Sequence, residues 1–285
     1  MSQSLNGQVV LITGASSGFG ADAARLFAKE GCAVVLAARR IDRLQDLAEK
    51  IQSEGGSALA VPVDIAERRS IYGMMETVFD IYDHVDILFN NAGFGRLNWL
   101  ENLNPPRDIQ TQVAVNLLGT IEVTRTVLPH MLKRGKGHII NMSSIAGYIG
   151  APTYAVYSAT KFGLRGFTES LRREVGPRGI KVSGIYPGPA ATEFGKRAPS
   201  DPTDKTRGGV LPTWFTMKSE YVAAQVVKVA KHPRRSVIIP WWLGPLIWTN
   251  ETFPALTDWF INTLFTRRYQ PSPPPPAPDE QKTIV

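Results

Sequence analysis

Along the first two thirds of the chain, short apolar runs rich in valine and isoleucine recur at residues 9–13, 33–38, 58–63, 86–89, 138–142 and 181–186. Their apolar character is nearly continuous, without the polar alternation of a half-wet sheet, which predicts strands buried on both faces. Between them, amphipathic stretches at residues 21–30, 42–54, 68–82, 109–133, 160–174 and 221–231 predict helices that serve as the crossovers parallel strands need. Residues 236–239 predict a final strand. The fold class expected is therefore α/β, a doubly wound, mostly seven-stranded parallel sheet with helices on both faces. No linker interrupts the pattern before residue 270, so residues 1–269 are expected to form one domain. In 270–285, consecutive prolines remove backbone donors and favour extended geometry, which predicts a disordered, solvated tail, with a ligand for proline-recognition domains as the other reading.

Composition narrows the function classes. With 43% apolar and 20% charged residues in 285, the chain is long enough to bury a full core. The net charge of +7 comes with arginine pairs at 39/40, 68/69, 172/173, 234/235 and 267/268, spread along the chain. A nucleic-acid surface would need a concentrated basic stripe with stacking aromatics, so no nucleic-acid partner is expected. The single cysteine, Cys32, excludes an internal disulfide, and no cysteine or histidine cluster has metal-ligand spacing, so no metal is expected. The N-terminus passes from a short polar lead into the first apolar run without the features of a secretory signal, so a cytoplasmic protein is expected.

Directly after the first predicted strand comes Thr13-Gly14-Ala15-Ser16-Ser17-Gly18-Phe19-Gly20, followed by a helical pattern. Glycines there let the backbone turn tightly against a pyrophosphate, while the helix N-terminus offers N–H groups and a favourable dipole. This context points to a dinucleotide and a Rossmann-type domain, although the spacing is G-x3-G-x-G and not the commoner G-x-G-x-x-G. At the end of the second strand, where an NAD-binding protein usually places an acid for the ribose hydroxyls, the chain has Arg39 and Arg40. Guanidinium groups offer planar donors to a 2′-phosphate that an acid would repel, which predicts NADP(H); the alternative is that both arginines only open the next helix as surface charges. A third constellation is Ser144, Tyr157 and Lys161, in which tyrosine and lysine at i and i+4 share one helix face.

In these motifs and their order the chain resembles the short-chain dehydrogenase/reductase family, in its compact single-domain branch, over roughly residues 6–240. The register comprises the glycine loop, Asp64 after strand three, Asn90-Asn91-Ala92-Gly93 after strand four, Asn116 in the long helix, Ser144 thirteen residues before Tyr157, Lys161, and Pro187-Gly188 with Thr192. The resemblance implies an oxidoreductase that moves a hydride between nicotinamide and a carbonyl or alcohol carbon. Tyr157 would be the acid/base, its phenolate favoured by Lys161, which also holds the nicotinamide ribose. Ser144 would bind the substrate oxygen, and Asn116 would support a water leading from Lys161 to solvent. Taken singly, Ser144 is also readable as a hydroxyl capping a turn, and Asn116 as a helix amide with a backbone partner. Cofactor contacts are implied for Gly14, Ser16, Ser17, Gly18, Phe19, Gly20, Arg39, Arg40, Asp64, Ile65, Asn91, Ala92, Gly93, Tyr157, Lys161, Pro187, Gly188 and Thr192. Asp64 would accept the adenine amine, Asn91 and Gly93 would line the adenine-ribose side, and Thr192 would cap the carboxamide. Asp64 and Thr192 are otherwise readable as loop caps. Relatives commonly pair through the long helices, which implies a homodimer or homotetramer.

On the substrate side, a lid at about residues 193–217, carrying Phe194, Trp214 and Phe215, suggests a hydrophobic ketone or alcohol. Gly95, Arg96, Trp99 and the stretch 148–154 are expected to form the remaining wall. Residues 236–269 hold four of the six tryptophans, and the longest apolar run there, 237–248, is too short to span a bilayer. Two readings of this segment stay open: it covers the cleft or a partner subunit, or it makes peripheral membrane contact through 237–268. An isomerase or lyase of the extended branch would have different glycine spacing, and a silent NADP-binding regulator would lack the serine, tyrosine or lysine.

Overall fold

The structure is a computed structural model that describes residues 4–191 and 216–266. Its main sheet contains β1 (Val9–Thr13), β2 (Ala33–Ala38), β3 (Ser57–Pro62), β4 (Ile87–Asn90), β5 (Gly137–Met142), β6 (Ile180–Pro187) and, after a short parallel ladder of β7 (Ala190–Ala191) with β8 (Met217–Lys218), β9 (Ser236–Ile239). All seven main strands pair in parallel in the order β3-β2-β1-β4-β5-β6-β9, as the apolar runs predict. The order reverses at β1, which lies between β2 and β4. Crossovers leave that point toward opposite faces and open a crevice at the strand ends.

The helices are α1 (Gly18–Lys29), α2 (Ile41–Ser53), α3 (Arg68–Tyr82), α4 (Thr111–Val113), α5 (Thr120–Arg134), α6 (Ala155–Val175), α7 (Ser219–Lys231), α8 (Gly244–Thr252) and α9 (Pro254–Thr266). Strand alternation divides the core in two. Val10, Ile12, Val34, Leu36, Phe89 and Ile140 pack beneath α1, α2 and α7. Val9, Leu11, Val35, Leu88 and Ile139 pack beneath α3, α5 and α6. Each such side chain, fully withdrawn from water, contributes roughly 1.5–3 kcal/mol. Cys32 is buried as a small core residue, its thiol donating to the Leu5 carbonyl at 3.3 Å.

Two elements depart from the expected boundaries. The long helix predicted at 109–133 begins at Pro105, where the Asn104 side chain accepts the Arg107 N–H at 2.9 Å, and widens to π-helical turns at Pro105–Gln110 and Ala114–Gly119. The widened turn at Ala114–Gly119 carries Asn116. Helix α6 starts at Ala155 and not at residue 160, which places Tyr157 and Lys161 in its first two turns.

His138 on β5 is 5% exposed and bonds the Ser183 hydroxyl at 2.9 Å. Burial, assisted by the Lys181 charge, pulls its pKa from 6.5 down to about 3. The unfolded chain therefore binds one more proton at this residue between those two pH values, and its contribution to stability, present above pH 6.5, is lost as pH falls through that window. Urea unfolding across this range should show wild-type stability falling by about 1.4 kcal/mol per pH unit more steeply than that of His138→Asn. Equal slopes would mean that the imidazole is protonated inside the fold.

Candidate active site

The crevice is built first from a backbone knot. The Thr13 hydroxyl, at the end of β1, accepts the N–H groups of Asn91 and Ala92, both at 3.1 Å, and so joins β1 to the segment leaving β4. The Asn91 amide donates back to the carbonyls of Thr13 and Gly14 at 3.1 and 3.2 Å. Gly14 has φ +68, and a Cβ there would lie 2.7 Å from the Ala92 Cα. A Cβ on Gly20 would strike the Gly14 carbonyl and lie 2.6 Å from the Asn91 amide nitrogen. Glycine is thus required by close approach at both positions. Helix α1 begins behind this loop without a side-chain cap from Ser17, leaving its first N–H groups to an external acceptor. Phe19 packs partly buried on the core, and Ile65, 6% exposed, would crowd any side chain at position 119.

Arg40 reaches over the loop. Its guanidinium donates to the Ser16 hydroxyl at 2.8 and 3.2 Å and to the Ser17 hydroxyl at 2.9 Å. Arg39 stands 3.6 Å from the Asp64 carboxylate, which also accepts the Ala66 N–H at 3.0 Å. Ser16 further borders an open cleft of about 230 Å³ lined by Arg25, Arg43, Asp46 and Lys50. Arg43 and Lys50, seven residues apart on α2, share the face that lines this cleft.

Across the crevice, the three sequence-predicted reactive side chains come together. Ser144 follows β5, accepts the Ala146 N–H at 3.1 Å, lies 3.5 Å from the Pro187 carbonyl and hydrogen-bonds the Tyr157 phenol. It is therefore both a turn cap and a partner of the tyrosine. Tyr157 is 7% exposed, with Tyr154 edge-on at 6.1 Å. Lys161, 4% exposed, has its Nζ 5.7 Å from the Tyr157 ring centroid and donates to the Met142 carbonyl at 3.0 Å. The Ser143 hydroxyl donates to the Lys161 carbonyl at 3.1 Å, a tie between α6 and β5 that sequence reasoning missed.

Burial dominates both ionisations. It pushes the Tyr157 phenol well above its ordinary value; the Ser144 bond works against that rise and Tyr154 adds to it. Desolvation also pulls Lys161 from 10.5 down to about 8.

Asn116 is fully buried and holds Phe94 at both backbone groups, donating to its carbonyl at 2.8 Å and accepting its N–H at 2.9 Å. A Cβ at Gly93 would lie 3.2 Å from the Asn116 carbonyl oxygen and 3.5 Å from Lys161 Nζ, so these groups converge on one point. Nearby, the Asn98 N–H donates to the Thr153 carbonyl at 3.1 Å and draws the two predicted substrate walls together. Gly188 donates to the Ile239 carbonyl at 2.7 Å and allows Leu243 to pack close. Thr192, Phe194, Trp214 and Phe215 lie outside the described residues; before and after them, Ala190–Ala191 and Met217–Lys218 pair as the β7–β8 ladder.

The family model described as short chain dehydrogenase matches residues 8–203. The chain belongs to the short-chain dehydrogenase family. It is 39% identical over 198 residues to a dehydrogenase/reductase SDR family protein 7-like of Drosophila melanogaster, covering 68% of this chain but only 60% of that relative's length. A serine dehydrogenase structure complexed with NADP+ is similar at 30% identity and a TM-score of 0.73, over 81% of this chain and 94% of that one. A 3-ketoacyl-(acyl-carrier-protein) reductase from Brucella melitensis complexed with NADH is similar at 29% and 0.73, over 83% and 98%. As a short-chain dehydrogenase the chain is an oxidoreductase with a Rossmann-type fold.

The short-chain dehydrogenase site also rests on a buried polar relay that sequence spacing did not mark. The Asn90 amide donates to Thr124 and Asn141, both at 2.9 Å, and the Asn141 amide donates to Thr168 at 2.9 Å, joining β4, β5, α5 and α6.

Crowding at the knot gives a paired test. Gly20→Ala should lower unfolding stability by about 1–3 kcal/mol through overpacking. Gly73→Ala, with nothing within 4 Å of the new methyl on α3, should raise it by roughly 0.8–1 kcal/mol. Chemical denaturation of the two variants beside the wild type measures both signs.

Proposed function

We propose that the chain is an NADP(H)-dependent carbonyl reductase in which Tyr157 delivers the proton. The observation that carries this reading is the buried Tyr157 phenol, held by Ser144 and backed by Lys161 at the mouth of the crevice. Bound in the glycine cradle, the nicotinamide cofactor would supply the hydride. A phenol that is protonated at neutral pH can give its proton to a developing alkoxide, and the direction, reduction, follows from the proposed preference for NADPH. Ser144 would fix the substrate oxygen beside that phenol. Lys161 would hold the ribose, and Asn116, fixed by Phe94, would support the route from Lys161 to solvent.

The preference for NADP(H) rests on Arg40, seated on Ser16 and Ser17, with Arg39 next to it and no acid at the end of β2. Among solved relatives, one is complexed with NADP+ and another with NADH, so the residues at this position carry the argument. Bidentate guanidinium contacts to a phosphate are worth roughly 1.5–3 kcal/mol each, which favours the 2′-phosphorylated cofactor. Gly14, Ser16, Ser17, Gly18, Phe19, Gly20, Asp64, Ile65, Asn91, Ala92, Gly93, Pro187, Gly188 and Thr192 complete the proposed cofactor site. The substrate is a hydrophobic ketone, as Tyr154 and Trp99 in the approaching walls support. Two copies would pair through α6 and the long helix that ends in α5, where Phe162 and, in the turn Ala114–Gly119, Leu118 are exposed.

Two measurements test these assignments. Tyr157→Phe should reduce kcat for carbonyl reduction by roughly 10²–10⁴ while NADPH binding is kept; retained turnover would remove the tyrosine from the chemistry. Arg40→Leu should weaken NADPH binding by about tenfold or more and leave NADH affinity unchanged. Equal loss for both dinucleotides would assign Arg40 to shaping the loop and not to reading the phosphate.

A further inference from the structure

Among the described residues, fourteen large apolar side chains are exposed, and eight of them fall within residues 241–260. Trp241, Trp248, Phe253, Leu256, Trp259 and Phe260 are each more than half exposed. They stand on a fixed platform. Leu243 and Ile247 are buried beneath it, the Asn250 amide donates to the Tyr148 carbonyl at 3.3 Å, and Glu251 pairs with Arg165 of α6 at 3.2 Å.

Helix α9 is oriented the wrong way for water. Thr257 is 3% exposed and its hydroxyl has no hydrogen-bond partner, whereas Leu256, Trp259 and Phe260 face outward. The helix, PALTDWFINTLFT, turns Leu256, Trp259 and Phe260 outward beside a single charge, Asp258, and such a face calls for apolar surroundings on its outer side. Its 13 residues reach about 20 Å, and no helix among the described residues is long and apolar enough to cross a membrane. The surroundings it fits are therefore those of an interface, where a short apolar helix lies in the plane.

Charge selects the kind of surface. Between Pro240 and Thr266 the charged residues are Glu251, half-exposed and paired with Arg165, and the exposed Asp258. Arg267 and Arg268 follow directly in the sequence, in a chain of net charge +7. Tryptophan and arginine together match the boundary between acyl chains and negatively charged headgroups. We propose that α8 and α9 dock this protein peripherally on an anionic phospholipid surface, with Trp248, Trp259 and their apolar neighbours entering the headgroup boundary. The proposal does not depend on the reductase chemistry.

The test is flotation of the full chain with vesicles of phosphatidylcholine alone or of phosphatidylcholine mixed with phosphatidylglycerol. The wild type should float with the mixed vesicles, less so at high salt. A Trp248→Ser, Trp259→Ser double variant should partition at least about tenfold less. Both positions are exposed, and an unchanged circular dichroism spectrum and unfolding midpoint would show that the variant still folds. Wild type that stays in solution with both vesicle types, or a variant that floats equally well, overturns the proposal. If wild type ignores vesicles and the double substitution converts a concentration-dependent dimer into a monomer, the platform is instead a contact between copies of this chain.

Discussion

The hydroxyl of Thr13 accepts two backbone N–H groups, from Asn91 and Ala92, at the seam where the order of the sheet reverses. Strands β1 and β4 are neighbours there, but the crossovers that leave them lie on opposite faces, so their ends would otherwise part. Closing that seam lets the glycine loop press against Ala92, and only residues without a Cβ fit the gap. The same closure sends the chain from Ala92 through Gly93 to Phe94, whose backbone Asn116 grips at both groups. Cofactor loop, long helix and reactive side chains thus share a single anchor.

Much of this was legible in the residues. Buried parallel strands announce themselves by continuous apolar runs, so β1, β2 and β9 lie where the pattern predicts them. The start of α6 was misread because Ala155 to Ser158 mixes residues with no clear amphipathic face. It begins the helix because Tyr157 and Ser158 are buried there by the packing of other elements. The π-turn at Asn116 was not legible at all, since it arises from the grip on Phe94 and the close passage of Gly119 over Ile65, both contacts between distant segments. Order and spacing single out Ser144, Tyr157 and Lys161, which the structure places together, but their burial was not legible. Depth in the fold, which spacing along the chain does not show, raises the phenol and lowers the lysine.

Arg165 links the site to the C-terminal platform. One turn beyond Lys161, its guanidinium lies 3.8 Å from the centroid of the Tyr148 ring and pairs with both Glu169 and Glu251. Tyr148 in turn stacks edge-on with Tyr186 at 4.8 Å and reaches the Ser236 hydroxyl at 3.2 Å. Because these contacts come from α6, β6, β9 and α8, the exposed aromatic face is set on the same rigid frame as the helix that carries Tyr157 and Lys161.

The short ladder of Ala190–Ala191 with Met217–Lys218 holds both ends of the intervening stretch side by side, independently of what that stretch contains. Once the ends of a loop are pinned, the entropic cost of closing it grows only logarithmically, by about 0.6 kcal/mol for each doubling of length. Insertions, deletions and wholesale replacement between the two strands therefore cost the fold little. The sheet keeps its register on either side of the two-residue clasp, which makes this the place where the chain tolerates a change of length at the least cost to its core.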